Sequence, residues 1–177
     1  MGAWWPALLV AAAVLVGLAW DTGSTRGPTV SDLCLVAGSS LTLTTEQVSN
    51  AIAIAGVARD RGLPERALVI ALATAQQESR LRNLDYGDRD SLGLFQQRPS
   101  MGWGTEAEVQ DPVYAAGKFF DHLVQVPGWE TGRLTEVAQA VQRSGYPEAY
   151  QQWEPMATEL AAVLVAKPTG TGVLDCT

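Results

Sequence analysis

The sequence carries very little positive charge. Only two of its 177 residues are lysines, Lys118 and Lys167, and 12 basic side chains are set against 19 acidic ones, which gives a net charge of −7. A protein that follows the phosphate backbone of a nucleic acid needs a basic stripe. The charge balance therefore argues against a nucleic-acid partner. It leaves room for polysaccharides, which proteins bind with aromatic rings and neutral hydrogen-bonding groups.

Side chains that hold metals or act as nucleophiles are also scarce. His122 is the only histidine and there are only two cysteines, so a zinc cluster or a Cys–His pair would lack partners. The sequence contains no Gly-x-Ser-x-Gly segment and no glycine-rich phosphate loop. Asp85, Asp88 and Asp90 precede Gly93, but their spacing does not match an EF-hand calcium loop. We therefore expect neither a cofactor nor a metal.

The chain begins with an apolar segment. Residues 4–20 reach the short end of the roughly 17–25 residues that cross a bilayer as a helix, and tryptophan at both ends suits the membrane interfaces. The segment also fits a cleaved signal peptide, with residues 7–19 as its apolar core and Gly17 and Ala19 before the cut. Residues 1–20 are thus predicted to be a signal peptide or a membrane anchor. Either alternative predicts an extracytoplasmic protein, secreted or attached to the cytoplasmic membrane.

The two cysteines lie far apart in the chain. Cys34 follows the apolar segment and Cys176 is the penultimate residue. Because disulfides persist in an oxidising compartment, we expect a bridge between them. Closing a loop of this length would stabilise the fold by about 4–5 kcal/mol in the chain-entropy model. The alternative is two unpaired thiols.

The remainder of the chain has helical signals. Residues 21–44, rich in Gly, Ser, Thr and Asp, predict a linker and an extended lead-in. Capping residues and apolar spacing then predict helices. The predicted helices run from the Thr44 N-cap to Gly62, from Pro64 to Ser79, onward from Asp111-Pro112, over 135–143, and over 147–166 with a kink near Pro155. No alternating strand pattern competes, so we expect a mainly α protein. We also expect a monomer. A single helical domain would cover 45–166, with 167–177 as a C-terminal tail.

One acidic residue ends an otherwise apolar helix. Residues 67–75 are apolar on every side, which is typical of a helix buried in the core, and Glu78 lies in its last turn. Burial, the negative end of the helix and nearby aspartates should all raise the pKa of this carboxyl. A carboxylic acid that stays protonated near neutral pH suits general acid catalysis. The alternative is a solvent-facing glutamate paired with Arg80 or Arg82.

A short motif follows this glutamate. Glu78-Ser79 is succeeded, fifteen residues after the glutamate, by Gly-Leu-Phe-Gln at 93–96, and then by Pro99. The arrangement resembles soluble lytic transglycosylases and goose-type lysozymes of the lysozyme-like superfamily. The resemblance covers roughly residues 45–165 and implies a lysozyme-like helical domain in which Glu78 is the catalytic acid. Glycine would let the backbone approach a sugar ring closely. The substrate-binding residues implied are Ser79, Gly93, Leu94, Phe95 and Gln96.

A later helix departs from the family pattern. Transglycosylases usually carry Ala-Tyr-Asn-Ala-Gly there, and the comparable stretch is Ala-Val-Gln-Arg-Ser at 140–144. Gln142 supplies an amide in place of the asparagine, while valine replaces the tyrosine, for which Tyr146 or Tyr150 could compensate. Trp103, between two glycines, is a further candidate for stacking on a sugar; its alternative is packing in the core.

Two mechanisms remain open at this point. An inverting hydrolase places a second carboxyl roughly 6.5–9.5 Å from the acid, and Asp90 is the best candidate, with Asp88 next. The alternative for these aspartates is a solvated loop or ion pairs with Arg82 and Arg89. Without a second carboxylate, one glutamate acts as acid and then base while the substrate's own 6-hydroxyl attacks.

We therefore expect an enzyme that cleaves the β-1,4 linkage between the muramyl and glucosaminyl sugars of peptidoglycan. The partner would be the glycan strand, together with the cytoplasmic membrane if residues 4–20 are retained. The first alternative is a lysozyme-fold module that binds cell-wall glycan or envelope proteins without cleavage. The second is a membrane protein whose N-terminal helix recruits partners, with the helical domain as a scaffold.

Overall fold

The structure is a computed structural model that describes residues 33–175, and this part of the chain is mainly helical with a small sheet. The helices are α1 (Thr45–Asp60), α2 (Glu65–Ser79), α3 (Glu106–Val109), α4 (Pro112–Leu123), α5 (Leu134–Gln142) and α6 (Glu154–Ala166). The strands are β1 (Leu33–Val36), β2 (Thr42–Thr44) and β3 (Leu174–Asp175). The prediction of a mainly α protein is confirmed. The apolar segment 1–20 lies outside the described residues, and no helix within 33–175 is long and apolar enough to span a membrane.

The helices begin where the capping signals predict. The Thr44 hydroxyl accepts a hydrogen bond from the Gln47 backbone N–H, and the Gln47 side chain accepts one from the Thr44 backbone, which completes a capping box. The Asp111 carboxylate caps α4, which has Pro112 in its first turn. Such signals are local, and this is why the starts of α1 and α4 follow from the sequence.

The expectation that no strand competes is wrong. β1 pairs antiparallel with β2, with Leu33 opposite Thr44, and with β3, with Leu35 opposite Asp175. Side chains alternate between exposed and buried along β1, but four residues give too short a run to recognise as a strand. Parts of the predicted lead-in and of the predicted tail therefore pair with each other in one sheet.

This sheet bears on the predicted disulfide. Cys34 is buried and disulfide-bonded. The pairing of β1 with β3 brings the C-terminal segment next to Cys34, as a bridge to Cys176 requires. Cys176 itself lies outside the described residues, so the pairing of the two cysteines stays a prediction.

The last helix begins later than predicted. Residues 147–150 form a loop and Gln151–Trp153 form a 3₁₀ turn before α6 starts at Glu154. Pro155 lies in the first turn of α6, where its missing N–H costs nothing, so it does not interrupt a longer helix. The bend in the chain places Tyr150 in the core, with 1% of its surface exposed.

Helix α2 is the central element of the fold. Eleven of its 15 residues are buried, and it packs against α1, α4, α5 and α6. The small side chains of its alanines allow neighbouring helices to approach on every side. Burial over nearly the whole length fixes the C-terminal end of α2 and the residues in its last turn.

Candidate active site

Helix α2 ends in two successive residues with a left-handed backbone. Arg80 and Leu81 both have φ of 58°, a conformation that costs a non-glycine residue about 1–2 kcal/mol. Side chains of α1 hold this turn, since the Gln47 amide donates to the Arg80 carbonyl and the Asn50 amide donates to the Leu81 carbonyl, both at 2.8 Å. The position of Glu78 is therefore set by contacts with α1 as well as by its own helix.

Glu78 is largely buried and has one close polar partner. Its Oε1 atom accepts a hydrogen bond of 2.6 Å from the Tyr150 hydroxyl. Burial raises the pKa of Glu78 above its ordinary value, and this effect outweighs the Tyr150 hydroxyl and the Gln142 side chain, which both lower it. Burial, one of the three causes expected from the sequence, is the largest effect on this pKa. The site thus favours a protonated carboxyl at higher pH than an exposed glutamate would.

The predicted alternative for Glu78, an ion pair with Arg80 or Arg82, does not form. The Arg80 guanidinium lies over the Trp153 ring, 4.9 Å from its centroid. Arg82 pairs instead with Glu46 of α1, at 3.7 Å. The carboxyl of Glu78 therefore has a hydroxyl rather than a cation as its partner.

The structure separates the two candidate tyrosines. Tyr150 contacts Glu78, and burial together with the Glu78 carboxylate raises the pKa of Tyr150, so its hydroxyl remains a proton donor. Tyr146 is 78% exposed, and within 33–175 its hydroxyl makes no hydrogen bond. Tyr150 is thus the tyrosine that belongs to the site.

Ser79 joins α2 to the segment 93–96. Its hydroxyl lies 2.7 Å from the Leu94 carbonyl and 3.0 Å from the Ala75 carbonyl, and the residue is buried. The Gln142 amide of α5 donates to the Phe95 carbonyl at 2.8 Å, on the same segment. This placement ties α2 to residues 93–96, hereafter the wall segment, and the substrate-binding role implied for Ser79 stays a prediction.

The side chains of the wall segment point mainly into the core. Leu94 and Phe95 are fully buried, and the Phe95 ring stacks on Phe119 with 4.7 Å between centroids. Gly93 has φ of +75°, and a Cβ atom there would lie 2.1 Å from the Val109 carbonyl oxygen. The structural need for this glycine is therefore the close approach of α3. Gln96 keeps a partly exposed side chain.

A cleft of about 520 Å³ lies beside this wall, between the loop 96–103 and the ends of α4 and α5. Its lining includes Gln96, Trp103, His122, Gln125, Gln142 and Arg143. Trp103 is partly exposed and lies 4.4 Å from His122, with 48° between the rings. Gln142 contributes both to this lining and to the environment of Glu78, which connects the acid to the cleft. No sequence motif pointed to His122, Gln125 or Arg143.

Both carboxylate oxygens of Asp90 accept hydrogen bonds from neighbouring residues. One carboxylate oxygen accepts from Arg98 Nε at 2.7 Å and the other from the Ser100 backbone N–H at 2.8 Å. These contacts hold the pKa of Asp90 well below its usual range. Asp88 is exposed and lies 3.9 Å from Arg89. Both aspartates therefore form ion pairs, which was the alternative to a role as general base. Asp90 pairs with Arg98 rather than with Arg82 or Arg89.

Five non-glycine residues within 33–175 have a left-handed backbone. They are Arg80, Leu81, Arg89, Gln96 and Arg143. Two of them follow Glu78, and two others line the cleft. Strained backbone of this kind is often found at functional sites. The described residues contain no group of three or more His, Cys, Asp or Glu side chains that could hold a metal.

Comparison with known proteins does not assign this chain to a family. No model of a known protein family matches it, and no curated protein matches it either. Its function must therefore be inferred from the geometry of the cleft and from the motif at residues 78–79 and 93–96.

Proposed function

We propose that this chain is a peptidoglycan-cleaving glycosidase with a lysozyme-like helical domain, in which Glu78 is the only catalytic carboxyl. The observation that carries the proposal is the largely buried Glu78, whose pKa is raised and whose neighbour Gln142 lines a cleft that also contains the partly exposed Trp103. A protonated carboxyl in such a place can give its proton to a glycosidic oxygen. The motif resemblance adds support from an independent source, because it rests on sequence rather than on contacts.

The proposed reaction begins with proton transfer from Glu78. The glycosidic oxygen takes this proton as its bond to the muramyl C1 breaks, and Glu78 is left as a carboxylate. The Tyr150 hydroxyl, already bonded to Oε1, stabilises that carboxylate. The carboxylate then removes the proton of the muramyl 6-hydroxyl as its oxygen bonds to C1. This step regenerates the acid and leaves an anhydromuramyl end.

The state of Asp90 favours this route over hydrolysis by an inverting pair. Both of its oxygens accept hydrogen bonds, and its pKa lies far below the usual value. Such a carboxylate is a weak base for activating water. A lytic transglycosylase needs only the one glutamate, which is what this site presents.

The proposed location is outside the cytoplasm. The disulfide at Cys34 supports it, because such bonds persist in oxidising compartments. It also agrees with the export expected from residues 1–20, and peptidoglycan is found in the same compartment.

Digestion of purified peptidoglycan by the chain, beside Glu78→Gln, tests the proposal. Mass spectrometry of the products should show anhydromuramyl ends from the parent and none from the variant. Reducing ends would instead indicate a lysozyme. Absence of turnover by folded, disulfide-bonded parent across about pH 4.5–8 would contradict the enzyme. Glycan binding without turnover would then favour the alternative, a non-catalytic lysozyme-fold module.

A further inference from the structure

Two arginines have no acidic partner within the described residues, and one of them, Arg143, lines the cleft. Seven of the nine arginines within residues 33–175 lie within 4.0 Å of a carboxylate, and the two that do not are Arg80 and Arg143. Arg80 comes two residues after Glu78, and Arg143 comes directly after Gln142. In a chain with net charge −7, positive charge left unmatched at these two positions is unexpected.

The charged residues that line the cleft are likewise basic rather than acidic. Its charged or titratable members are Arg98, Arg143 and His122, and no Asp or Glu from the described part of the chain lines it. The charge of Arg98 is matched by Asp90 at 2.7 Å. The unmatched cation is therefore Arg143, whose planar guanidinium is suited to a carboxylate.

The backbone conformation of Arg143 indicates that its side chain has a role beyond ending the helix. Arg143 ends α5 with φ of 54°, where glycine or asparagine would serve at lower cost. A cation at a helix C-terminus does interact favourably with the helix dipole. At an exposed site that gain is smaller than the cost of the left-handed backbone. Helix capping alone therefore does not account for an arginine here.

We propose that Arg143, in a cleft without acidic residues, binds a carboxylate carried by the substrate and so selects muramyl glycan over neutral glycan. This inference rests on the proposed function and specifies its substrate. A muramyl sugar has a lactyl side chain that ends in a carboxylate, or that continues into a peptide with carboxylates of its own. Chitin oligosaccharides have the same β-1,4 linkage and no carboxylate.

Measurements of ligand binding to the full chain with Glu78→Gln, which should not cleave the ligands, test the role of Arg143. The ligands are chitotetraose, a glucosaminyl–muramyl tetrasaccharide with free lactyl carboxylates, and the same tetrasaccharide with peptide stems. Carboxylate-bearing ligands should bind about fivefold more tightly than chitotetraose at low salt, the upper range for an exposed ion pair. Arg143→Gln should remove that preference, so that the three ligands bind about equally.

Arg59→Gln is the matched control. It removes the same charge from an exposed arginine of α1 that bonds to Asp60 and the Pro168 carbonyl, and it should keep the preference. Tighter binding only of the stem-bearing ligand would assign the carboxylate to the peptide. Tighter binding only of the stem-free tetrasaccharide would assign it to the lactyl group, whose carboxyl becomes an amide when a stem is attached. Equal binding of both muramyl ligands would mean that either carboxylate serves.

Two results would overturn the inference, and they differ in what they say of the proposed function. A preference that survives Arg143→Gln, or equal binding of all three ligands, would refute the role of Arg143 and leave the glycosidase intact. Failure of every saccharide to bind the folded protein would refute the glycosidase as well.

Discussion

Removal of one hydroxyl group tests the electrostatics of this site directly. Tyr150→Phe keeps a buried aromatic ring but removes the 2.6 Å hydrogen bond to Glu78 Oε1. A hydrogen bond to a charged group contributes about 1.5–3 kcal/mol, and one between neutral groups about 0.5–1.5 kcal/mol. Water can replace part of the bond, since Glu78 is not fully enclosed. We therefore expect the free energy of unfolding to fall by about 1–2 kcal/mol where Glu78 is ionised, and by about 0.5 kcal/mol where it is protonated.

The pH dependence of this loss has a definite sign. The Tyr150 hydroxyl favours the ionised carboxylate and lowers the pKa of Glu78, so the substitution should raise that pKa further. A carboxyl whose pKa is higher in the folded state stabilises the fold at low pH, and that stability is lost as pH rises through the folded-state pKa. This loss of stability with rising pH is greater in Tyr150→Phe than in the parent. The difference in stability between parent and variant should therefore widen as pH increases.

Urea unfolding at about pH 4, 6 and 8 measures this difference. Tyr146→Phe is the control, because Tyr146 is exposed and its stability should change by less than about 0.5 kcal/mol at each pH. A difference for Tyr150→Phe that stays constant, or that shrinks toward pH 8, would refute this account of Glu78. If Glu78 is the catalytic acid, the alkaline limb of the kcat/KM profile should move to higher pH in the same variant.

Three further substitutions test the site from other directions. Gly93→Ala would place a Cβ atom 2.1 Å from the Val109 carbonyl oxygen at a φ of +75°; a loss of about 3 kcal/mol or more in urea unfolding is expected. Ser79→Ala would leave the buried Leu94 carbonyl without its donor and should cost about 1–3 kcal/mol; thermal unfolding equal to the parent would contradict that bond. Glu78→Gln removes a carboxylate whose burial raises its pKa, so the variant should be more stable than the parent at about pH 8, with the gain vanishing toward pH 4. Denaturation curves at both pH values measure it, and lower stability at pH 8 would be the opposite of what burial predicts.

The helical layout and the setting of Glu78 could be predicted because both depend on local patterns. Capping residues mark the starts of α1 and α4, and the apolar run 67–75 identifies a buried helix whose last turn carries the acid. The small sheet could not be predicted, because its strands are two to four residues long and one comes from the far end of the chain. Pairing over such distances leaves little trace in the sequence.

The partners of the site residues depended on turns that no motif specifies. Tyr150 rather than Tyr146 reaches Glu78 because the chain bends through a 3₁₀ turn before α6. Asp90 is bonded by the next turn of the chain, through Arg98 and the Ser100 backbone. The motif resemblance predicted several residues near the cleft, such as Gln96 and Gln142, whereas tertiary packing determined which side chains contact Glu78.

The arrangement of charges around Glu78 is consistent with different roles for Glu78 and for the two arginines, Arg80 and Arg143. A cation close to a carboxyl lowers its pKa, which would deprive a general acid of its proton. The groups that shift the pKa of Glu78 are its burial, Tyr150 and Gln142, and neither Arg80 nor Arg143 is among them. Each arginine follows the end of a helix that carries a site residue, yet does not lower the pKa of Glu78. Cations placed in this way are available to an anionic group of the substrate, which is the role we propose for Arg143.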